Sequence, residues 1–139
     1  RYRHKVSGPI ADRIDMWIEV PRVSAETLSA KGGGETSTIV KKKIMAARQQ
    51  QKRRFEKAKI KIQTNSQMNA RQLEKLAPLG EPERALLNAA AERLGLSARA
   101  YHRIIKLART IADLENDENI RTEHLHEALQ YRPKEIMTN

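Results

Sequence analysis

Apolar residues recur three and four positions apart over most of the chain, which is the spacing of an amphipathic helix. A long helix is predicted with Ser37 as its N-cap, since serine is a favoured residue at that position. Its inward face is predicted to contain Val40, Ile44, Ala47, Gln51 and Phe55. Residues 58–68 lose this period and are predicted to form an extended link.

Start and stop residues divide the next part of the chain into two further helices. Asn69 is a suitable cap for a short helix, and Pro78 ends it. Pro82 favours the first turn of the following helix, because the N–H group that proline lacks would have no helical partner there. Gly95 readily adopts the left-handed conformation that ends many helices, so this helix is predicted to stop there.

Two more helices are predicted towards the end of the chain. Ser97 caps the first of them, and the polar run ENDEN at residues 115–119 breaks it. Its inward face is predicted to contain Ala100, Ile104, Leu107, Ala108, Ile111 and Leu114. The last helix is predicted to begin near Thr122 and to stop before Pro133. The pattern therefore predicts a mainly α helical bundle over residues 37–132, followed by a loose tail at residues 133–139.

The first part of the chain has a different pattern. Residues 14–20 (IDMWIEV) alternate apolar and polar positions as a strand does, and Pro21 ends the alternation. The three consecutive glycines in residues 29–37 (SAKGGGETS) are typical of a flexible linker. We therefore predict a remnant strand within residues 1–22, which are expected to be poorly ordered, and a Gly-rich linker at residues 23–36.

Composition narrows the class of protein. The 139 residues include no cysteine, which excludes disulfides and thiolate metal sites. No apolar run approaches the ~20 residues that span a bilayer. The sequence therefore predicts a cytoplasmic protein with no membrane partner.

The net charge of +10 is concentrated in one predicted helix and the link after it. Ten lysines and arginines and one glutamate lie between Lys41 and Lys61, which is ten minus one, or +9. A local positive surface of this kind favours a polyanion such as DNA, although a solvated helix face has the same pattern. The candidate DNA-contact residues are Lys41, Lys42, Lys43, Arg48, Lys52, Arg53 and Arg54.

The helix that Ser97 caps carries a candidate phosphate site. Arg99 falls in its first turn, where the positive end of the helix dipole disfavours a cation unless an anion compensates it. Free backbone N–H groups and an arginine at a helix start bind phosphate well. Arg103 lies one turn later on the same face, so the spacing leaves both arginines open. A capped helix with an exposed basic edge has the same pattern.

The histidines and acidic residues indicate no further site. His124 and His126 lie two positions apart, so they are predicted to face solvent on different sides of a helix and not to share a metal ion. No metal site is predicted. The sequence contains no apparent Ser–His–Asp or Cys–His set and no paired catalytic carboxylates.

Two long stretches resemble the magnesium-chelatase-like ComM family of AAA+ proteins. They are SGPIADRID with IEVPRV, within residues 7–23, and LGLSARAYHRIIKLARTIADLE with HLHEALQYR, within residues 94–132. The resemblance covers nearly the whole chain but is weak across residues 24–80. It implies that residues 37–132 form the helical lid domain of an AAA+ ATPase, preceded by the last piece of the nucleotide-binding core.

The resemblance also implies roles for single residues. Arg13, in the stretch GPIADRID, corresponds to an arginine finger that reaches the γ-phosphate held by the neighbouring subunit. The stretch SAR at residues 97–99 corresponds to the sensor-2 motif, which implies that Arg99 contacts the γ-phosphate of its own subunit, with Arg103 as the alternative. ATP and Mg²⁺ are the implied cofactors of the full-length protein.

The printed sequence contains no GxxxxGK[ST] phosphate loop, so the chain alone is expected neither to hydrolyse ATP nor to bind it tightly. The resemblance implies that the full-length protein is a homo-oligomeric ring that moves DNA branches in recombination and natural transformation. The chain alone is expected to be a monomer or a weak dimer. The alternatives are the motor subunit of a magnesium chelatase that acts on a porphyrin, and a stand-alone helical DNA-binding module.

Overall fold

A computed structural model of the chain describes residues 13–24, 29 and 34–132. Residues 34–132 contain five α-helices and one turn of 3-10 helix at Asn65–Gln67. The helices are α1 (Ser37–Lys57), α2 (Ala70–Leu76), α3 (Glu81–Leu94), α4 (Ala98–Leu114) and α5 (Thr122–Gln130). The prediction of a mainly α fold is confirmed. None of the described helices is long and apolar enough to cross a lipid bilayer.

Most helices begin and end at the residues that the sequence indicates. The side chains of Asn69 and Ser97 accept the backbone N–H three residues later, at 2.9 and 3.1 Å. Gly95 ends α3 with a φ of 57°, a left-handed conformation that glycine adopts at little cost. Helix α1 differs by one residue, because Thr36 rather than Ser37 is its N-cap.

Helix α4 lies at the centre of the bundle. It packs against α1, α2, the 3-10 turn and α5, while α3 packs against α5. Its buried residues are Ala100, Ile104, Ile105, Ala108, Arg109, Ile111, Ala112 and Asp113, which together cover more than half of the helix circumference. The core around it is made of Phe55, Met68, Leu73, Ala77, Leu87, Ile120, Leu125 and Ala128.

Two arginines converge on one buried aspartate where α1 meets α4. Arg54 donates to both carboxylate oxygens of Asp113, and Arg109 donates to one of them at 3.1 Å. Asn65 donates to the same carboxylate at 2.8 Å and accepts from Arg54 at 3.3 Å. Burial lowers the pKa of Arg109 and the carboxylate opposes this shift, so the guanidinium stays charged.

This buried network fixes the relative positions of α1, the 3-10 turn and α4. Arg109 also donates to the carbonyl oxygens of Asp117 and Glu118, at 2.6 and 2.7 Å, and thereby holds the loop after α4. Removing one partner of a buried ion pair leaves an uncompensated charge, at a cost of about 3–5 kcal/mol. Asp113 is the shared partner, so the network depends on its carboxylate.

The N-terminal half of α1 extends beyond the bundle. Val40 and Ile44 are 38% and 47% exposed, although the spacing predicted that both would face the core. Every residue from 37 to 46 is exposed, so the helical period continues where the bundle no longer covers it. The buried residues of α1 are Ala47, Gln51 and Phe55, as predicted. Leu114, also predicted to be buried, is 46% exposed in the last turn of α4.

Residues 13–24 form no regular secondary structure. The strand that the alternation at residues 14–20 predicts has no partner strand within the part of the chain that the structure describes. Residues 1–12 of the N-terminal part predicted to be poorly ordered, most of the linker at residues 23–36 and the tail at residues 133–139 lie outside the described residues. The domain limits therefore stay predictions.

Replacing Asp113→Asn keeps the shape of the side chain but removes the charge that both arginines share. We expect the free energy of unfolding to fall by about 3–5 kcal/mol, because two guanidinium groups lose their buried counterion. Urea unfolding followed by circular dichroism measures this change. Glu118→Gln is the matched control, since its side chain is exposed and such a substitution changes stability by roughly 0.5 kcal/mol at most. A loss for Asp113→Asn no larger than that of the control contradicts the role of this network.

Candidate functional site

The face of α4 that does not enter the core carries a row of polar residues. Arg99, Arg103, Lys106 and Thr110 follow one another at separations of four, three and four positions, so they lie on one side of the helix. Both candidates for the phosphate contact, Arg99 and Arg103, belong to this row. The sequence could not decide between them, but the structure gives them different surroundings.

Three members of this row already have partners within the chain. Arg103 donates through Nη1 to the carbonyl oxygen of Arg13 at 2.6 Å, and the same nitrogen lies 2.5 Å from a carboxylate oxygen of Asp15. Lys106 donates to the carbonyl oxygen of Ser66 at 2.9 Å, and burial lowers its pKa although Asp15 opposes the shift. Thr110 accepts from Asn65 and donates to the backbone of α4.

Arg99 is the exception in this row. Its side chain is exposed in the first turn of α4, and among the described residues it has neither a hydrogen bond nor an ion-pair partner. The first turn of α4 contains no acidic residue, so no carboxylate within it offsets the positive end of the helix dipole. A cation in this position is complementary to an anion supplied from outside the helix, such as a phosphate group.

Residues 13–17 lie against the start of α4 and the end of α5. Besides the two contacts of Arg103, the backbone N–H of Trp17 donates to the carbonyl oxygen of Tyr131 at 2.9 Å. Buried Arg132 donates to the carbonyl oxygens of Ile14 and Ala100, at 3.4 and 3.3 Å. Sequence reasoning missed Arg132, because no local pattern links positions 118 residues apart.

Arg13, the candidate arginine finger, is held through its backbone. Its carbonyl oxygen accepts from Arg103, while its side chain is exposed. The contact of Trp17 is less complete, since its indole N–H is buried without an acceptor among the described residues. An unsatisfied buried donor costs about 1–3 kcal/mol, so this segment is docked with only a modest net gain.

The candidate DNA-contact residues of α1 fall into two groups. Six of them are exposed on the helix, and they are Lys41, Lys42, Lys43, Arg48, Lys52 and Arg53. Arg54 differs, because it is bound to Asp113 and its side chain is 18% exposed. Separations of seven and four positions place Lys41, Arg48 and Lys52 in one row along the helix, over about 16 Å. We therefore keep the exposed six as the basic surface and leave Arg54 out of it.

His124 contradicts the prediction of a solvent-facing side chain, because it is 1% exposed. Its Nδ1 accepts the backbone N–H of Arg121 at 2.9 Å, at the start of α5. Its Nε2 lies 3.1 Å from a carboxylate oxygen of Glu115 and 3.3 Å from one of Asp117. Because His124 lies in the first turn of α5, its Nδ1 can accept the N–H of Arg121. The spacing of the histidines, from which the sequence prediction was made, does not indicate this bond.

One carboxylate oxygen each of Glu115 and Asp117 and a ring nitrogen of His124 lie within 4.8 Å of one another, which is close enough for three ligands of one metal ion. The hydrogen bonds favour a different arrangement. Since Nδ1 accepts, the proton of the neutral ring lies on Nε2, which then donates to the carboxylates and has no lone pair for a metal. Arg121 also pairs with Asp117. The cluster therefore links the end of α4 to the start of α5.

Two family profiles match the chain. Residues 34–132 match the family described as magnesium chelatase, subunit ChlI C-terminal, and residues 1–28 match the family described as magnesium chelatase, subunit ChlI. The first match alone covers more than half of the chain, and it includes the whole helical bundle.

Curated relatives match along almost the whole chain. Competence protein ComM of Haemophilus influenzae is 41% identical over 133 residues, which are 95% of this chain and 25% of that protein. The uncharacterized proteins YifB of Salmonella typhimurium and Escherichia coli are 38% and 36% identical, with the same coverage. The chain thus spans about a quarter of the length of these relatives. It belongs to the magnesium chelatase ChlI family, and it is similar to the C-terminal part of ComM-like proteins.

Proposed function

We propose that the chain is the nucleotide-responsive lid of an oligomeric AAA+ ATPase that acts on DNA. The observation that carries this proposal is Arg99, an unpaired cation in the first turn of α4 among the described residues. Its charge is complementary to the terminal phosphate of ATP, and α4 packs against α1, α2 and α5 and is hydrogen-bonded to α3 through Tyr101 and Asn88. A change at this phosphate is thereby transmitted to the whole lid.

Membership of the magnesium chelatase family supports the use of ATP with Mg²⁺. In that role Arg99 would hold the γ-phosphate, and the bound nucleotide supplies the phosphoryl group whose hydrolysis drives the motor. Exposed Arg13 is the candidate that reaches a phosphate held by the next subunit of a ring. A guanidinium supplied in trans stabilises the charge that develops during phosphoryl transfer.

The basic surface of α1 supports a polyanionic partner. Its six exposed cations lie on a helix whose N-terminal half extends beyond the bundle, where a long, charged molecule has access. Two of the six have exposed acidic neighbours, since Lys43 pairs with Glu35 and Lys52 with Glu56. Exposed pairs of this kind contribute little energy and are readily exchanged for phosphates. We propose DNA as this partner, in line with the name of the competence protein ComM.

A magnesium chelatase motor is the second candidate, because the matching families carry that description. This candidate gives Arg99 and Arg13 the same roles but does not require DNA. Binding of DNA to the basic surface of α1 therefore distinguishes the two candidate functions. The stand-alone DNA-binding module is disfavoured by the position of α4. Ala100, Ile104 and Ile105 are buried in the half of this helix that would enter a DNA groove.

Replacing Arg99→Ala in the longer protein that carries the phosphate loop is expected to lower its ATPase rate about 10- to 100-fold, the loss of one charge-assisted hydrogen bond to phosphate. Steady-state ATP hydrolysis measures this effect. Arg71→Ala is the matched control, since Arg71 is exposed on α2 and lies 28 positions before Arg99 in the chain. An Arg99→Ala enzyme as active as the control contradicts the sensor role.

Replacing Arg13→Ala in the longer protein is expected to lower ATP hydrolysis about 10³-fold or more, as the loss of an arginine finger does. Mixing this variant with subunits whose phosphate loop is inactivated tests the trans role. Partial recovery of turnover is expected, because intact halves of the two subunits then meet at one interface. Mixed rings that stay as inactive as either parent would show that Arg13 does not act on a neighbour.

Reversing three charges of the basic surface (Lys41→Glu, Arg48→Glu and Lys52→Glu) is expected to weaken binding of duplex DNA and to flatten its salt dependence. The slope of log K against log salt should fall by about 0.9 for each phosphate contact that is lost. Fluorescence anisotropy over a series of salt concentrations measures both quantities. The control carries the same charge change on exposed residues of α2 and α3 (Arg71→Glu, Lys75→Glu and Arg93→Glu). Equal losses in the two variants would point to net charge rather than to a surface on α1.

A further inference from the structure

The two candidate arginines of α4 have different surroundings. Arg103 is 22% exposed and binds both the carbonyl oxygen of Arg13 and the carboxylate of Asp15 through one nitrogen. Arg99 has no such partner among the described residues. A phosphate that approached Arg103 would have to displace the carboxylate of Asp15, whereas no partner within residues 13–24 and 34–132 would have to leave Arg99.

We infer that Arg103 is a positioning residue that clamps residues 13–15 to α4, with Asp15 as its counterion, and that the phosphate contact belongs to Arg99 alone. The clamp joins the helix that carries the candidate sensor to the backbone of the candidate arginine finger, since Arg103 binds the carbonyl oxygen of Arg13 itself. The roles of Arg13 and Arg99 in this inference rest on the proposed function, whereas the clamp itself rests on the contacts of Arg103.

Three further contacts show why this clamp controls the position of Arg13. The backbone N–H of Trp17 donates to the carbonyl oxygen of Tyr131, and the guanidinium of Arg132 donates to the carbonyl oxygen of Ile14, both just after α5. Among the described residues, Arg103 holds the segment from α4 by a direct ion pair and a hydrogen bond. Lys106 adds an attraction for Asp15 from the next turn of α4. A movement of α4 therefore moves the backbone of Arg13 directly.

The consequence is a link between two nucleotide sites. A phosphate bound at Arg99 lies one turn of α4 from the clamp. When the lid moves in response to its own nucleotide, Arg13, which contacts the neighbouring subunit, therefore moves with it. An exposed ion pair is weak, and Asp15 is 62% exposed. The clamp is therefore able to open and close during each cycle of hydrolysis rather than locking the segment permanently.

The amide of Trp17 reports this clamp in the chain of residues 1–139, because its hydrogen bond to Tyr131 exists only when the segment is docked. Hydrogen exchange of that amide, measured by NMR, gives the docking equilibrium. Asp15→Asn is expected to lower the protection of Trp17 about two- to fivefold, which corresponds to an exposed ion pair. Arg103→Ala loses the bond to the Arg13 carbonyl as well and is expected to lower it about tenfold or more.

Three variants serve as controls for the clamp. Arg99→Ala, one turn away on the same helix, is expected to leave the protection of Trp17 unchanged. Asp15→Glu is expected to keep most of it, and the charge swap of Asp15→Arg with Arg103→Asp to restore part of it. Unchanged protection in Asp15→Asn, which lies outside every helix of the bundle, overturns the clamp. Equal losses in Arg99→Ala and Arg103→Ala overturn it too, because the effect is then general to α4.

A second measurement separates the clamp from the proposed function. In the longer protein, Arg103→Ala is expected to lower kcat for ATP hydrolysis while KM for ATP changes less, since the variant misplaces a finger that acts on the neighbour. Mixed with subunits whose phosphate loop is inactivated, it should behave as Arg13→Ala does. Loss of Trp17 protection without any effect on ATP hydrolysis would keep the clamp but remove its link to the finger. An effect on KM alone would place Arg103 on the nucleotide and overturn the inference.

Discussion

The functional account follows from one guanidinium, at the positive end of a helix, that has no partner among the residues the structure describes. Helix α4 begins with Ser97 as its cap and Arg99 in its first turn, and its first turn contains no carboxylate. The dipole of α4 disfavours this cation by about 0.3–1 kcal/mol, and an anion bound there would interact favourably with both the cation and the dipole. The next arginine on the same face, Arg103, has its anion within the chain. From this difference we infer that Arg99 contacts phosphate and that Arg103 positions the segment of Arg13.

The central position of α4 gives this one cation its importance. The helix is buried over more than half of its circumference, and a buried carboxylate, Asp113, ties its last turn to α1 through Arg54. The start of the same helix holds the segment of Arg13 through Arg103. Helix α4 thus connects the proposed phosphate contact, the basic helix α1 and the segment that carries the candidate arginine finger. We regard this connection as the physical basis of a nucleotide-responsive lid.

Local signals predicted the helices well, because caps and breakers act within a few residues of where they stand. Asn69, Gly95 and Ser97 all mark the boundaries that the sequence indicates. Periodicity alone failed where tertiary contacts decide burial. Val40 and Ile44 keep the helical spacing but lie beyond the end of the bundle, so they stay exposed.

The candidate site was predictable only in part. The sequence placed Arg99 and Arg103 on one face, but it left the choice between them open, since the choice depends on Asp15, which is distant along the chain. It placed Arg54 with the DNA-contact residues, because the pairing with Asp113 across 59 positions has no local signal. His124 was assigned to solvent for a similar reason: its burial depends on the backbone of Arg121 and on the end of α4.

A structure of the longer protein with a non-hydrolysable ATP analogue tests the central claim most directly. The account predicts that a guanidinium nitrogen of Arg99 lies within about 3 Å of a terminal phosphate oxygen of the nucleotide in its own subunit, a normal distance for such a hydrogen bond. It also predicts that Arg103 still binds Asp15. A structure in which Arg103 contacts the phosphate while Arg99 points into solvent would contradict the account.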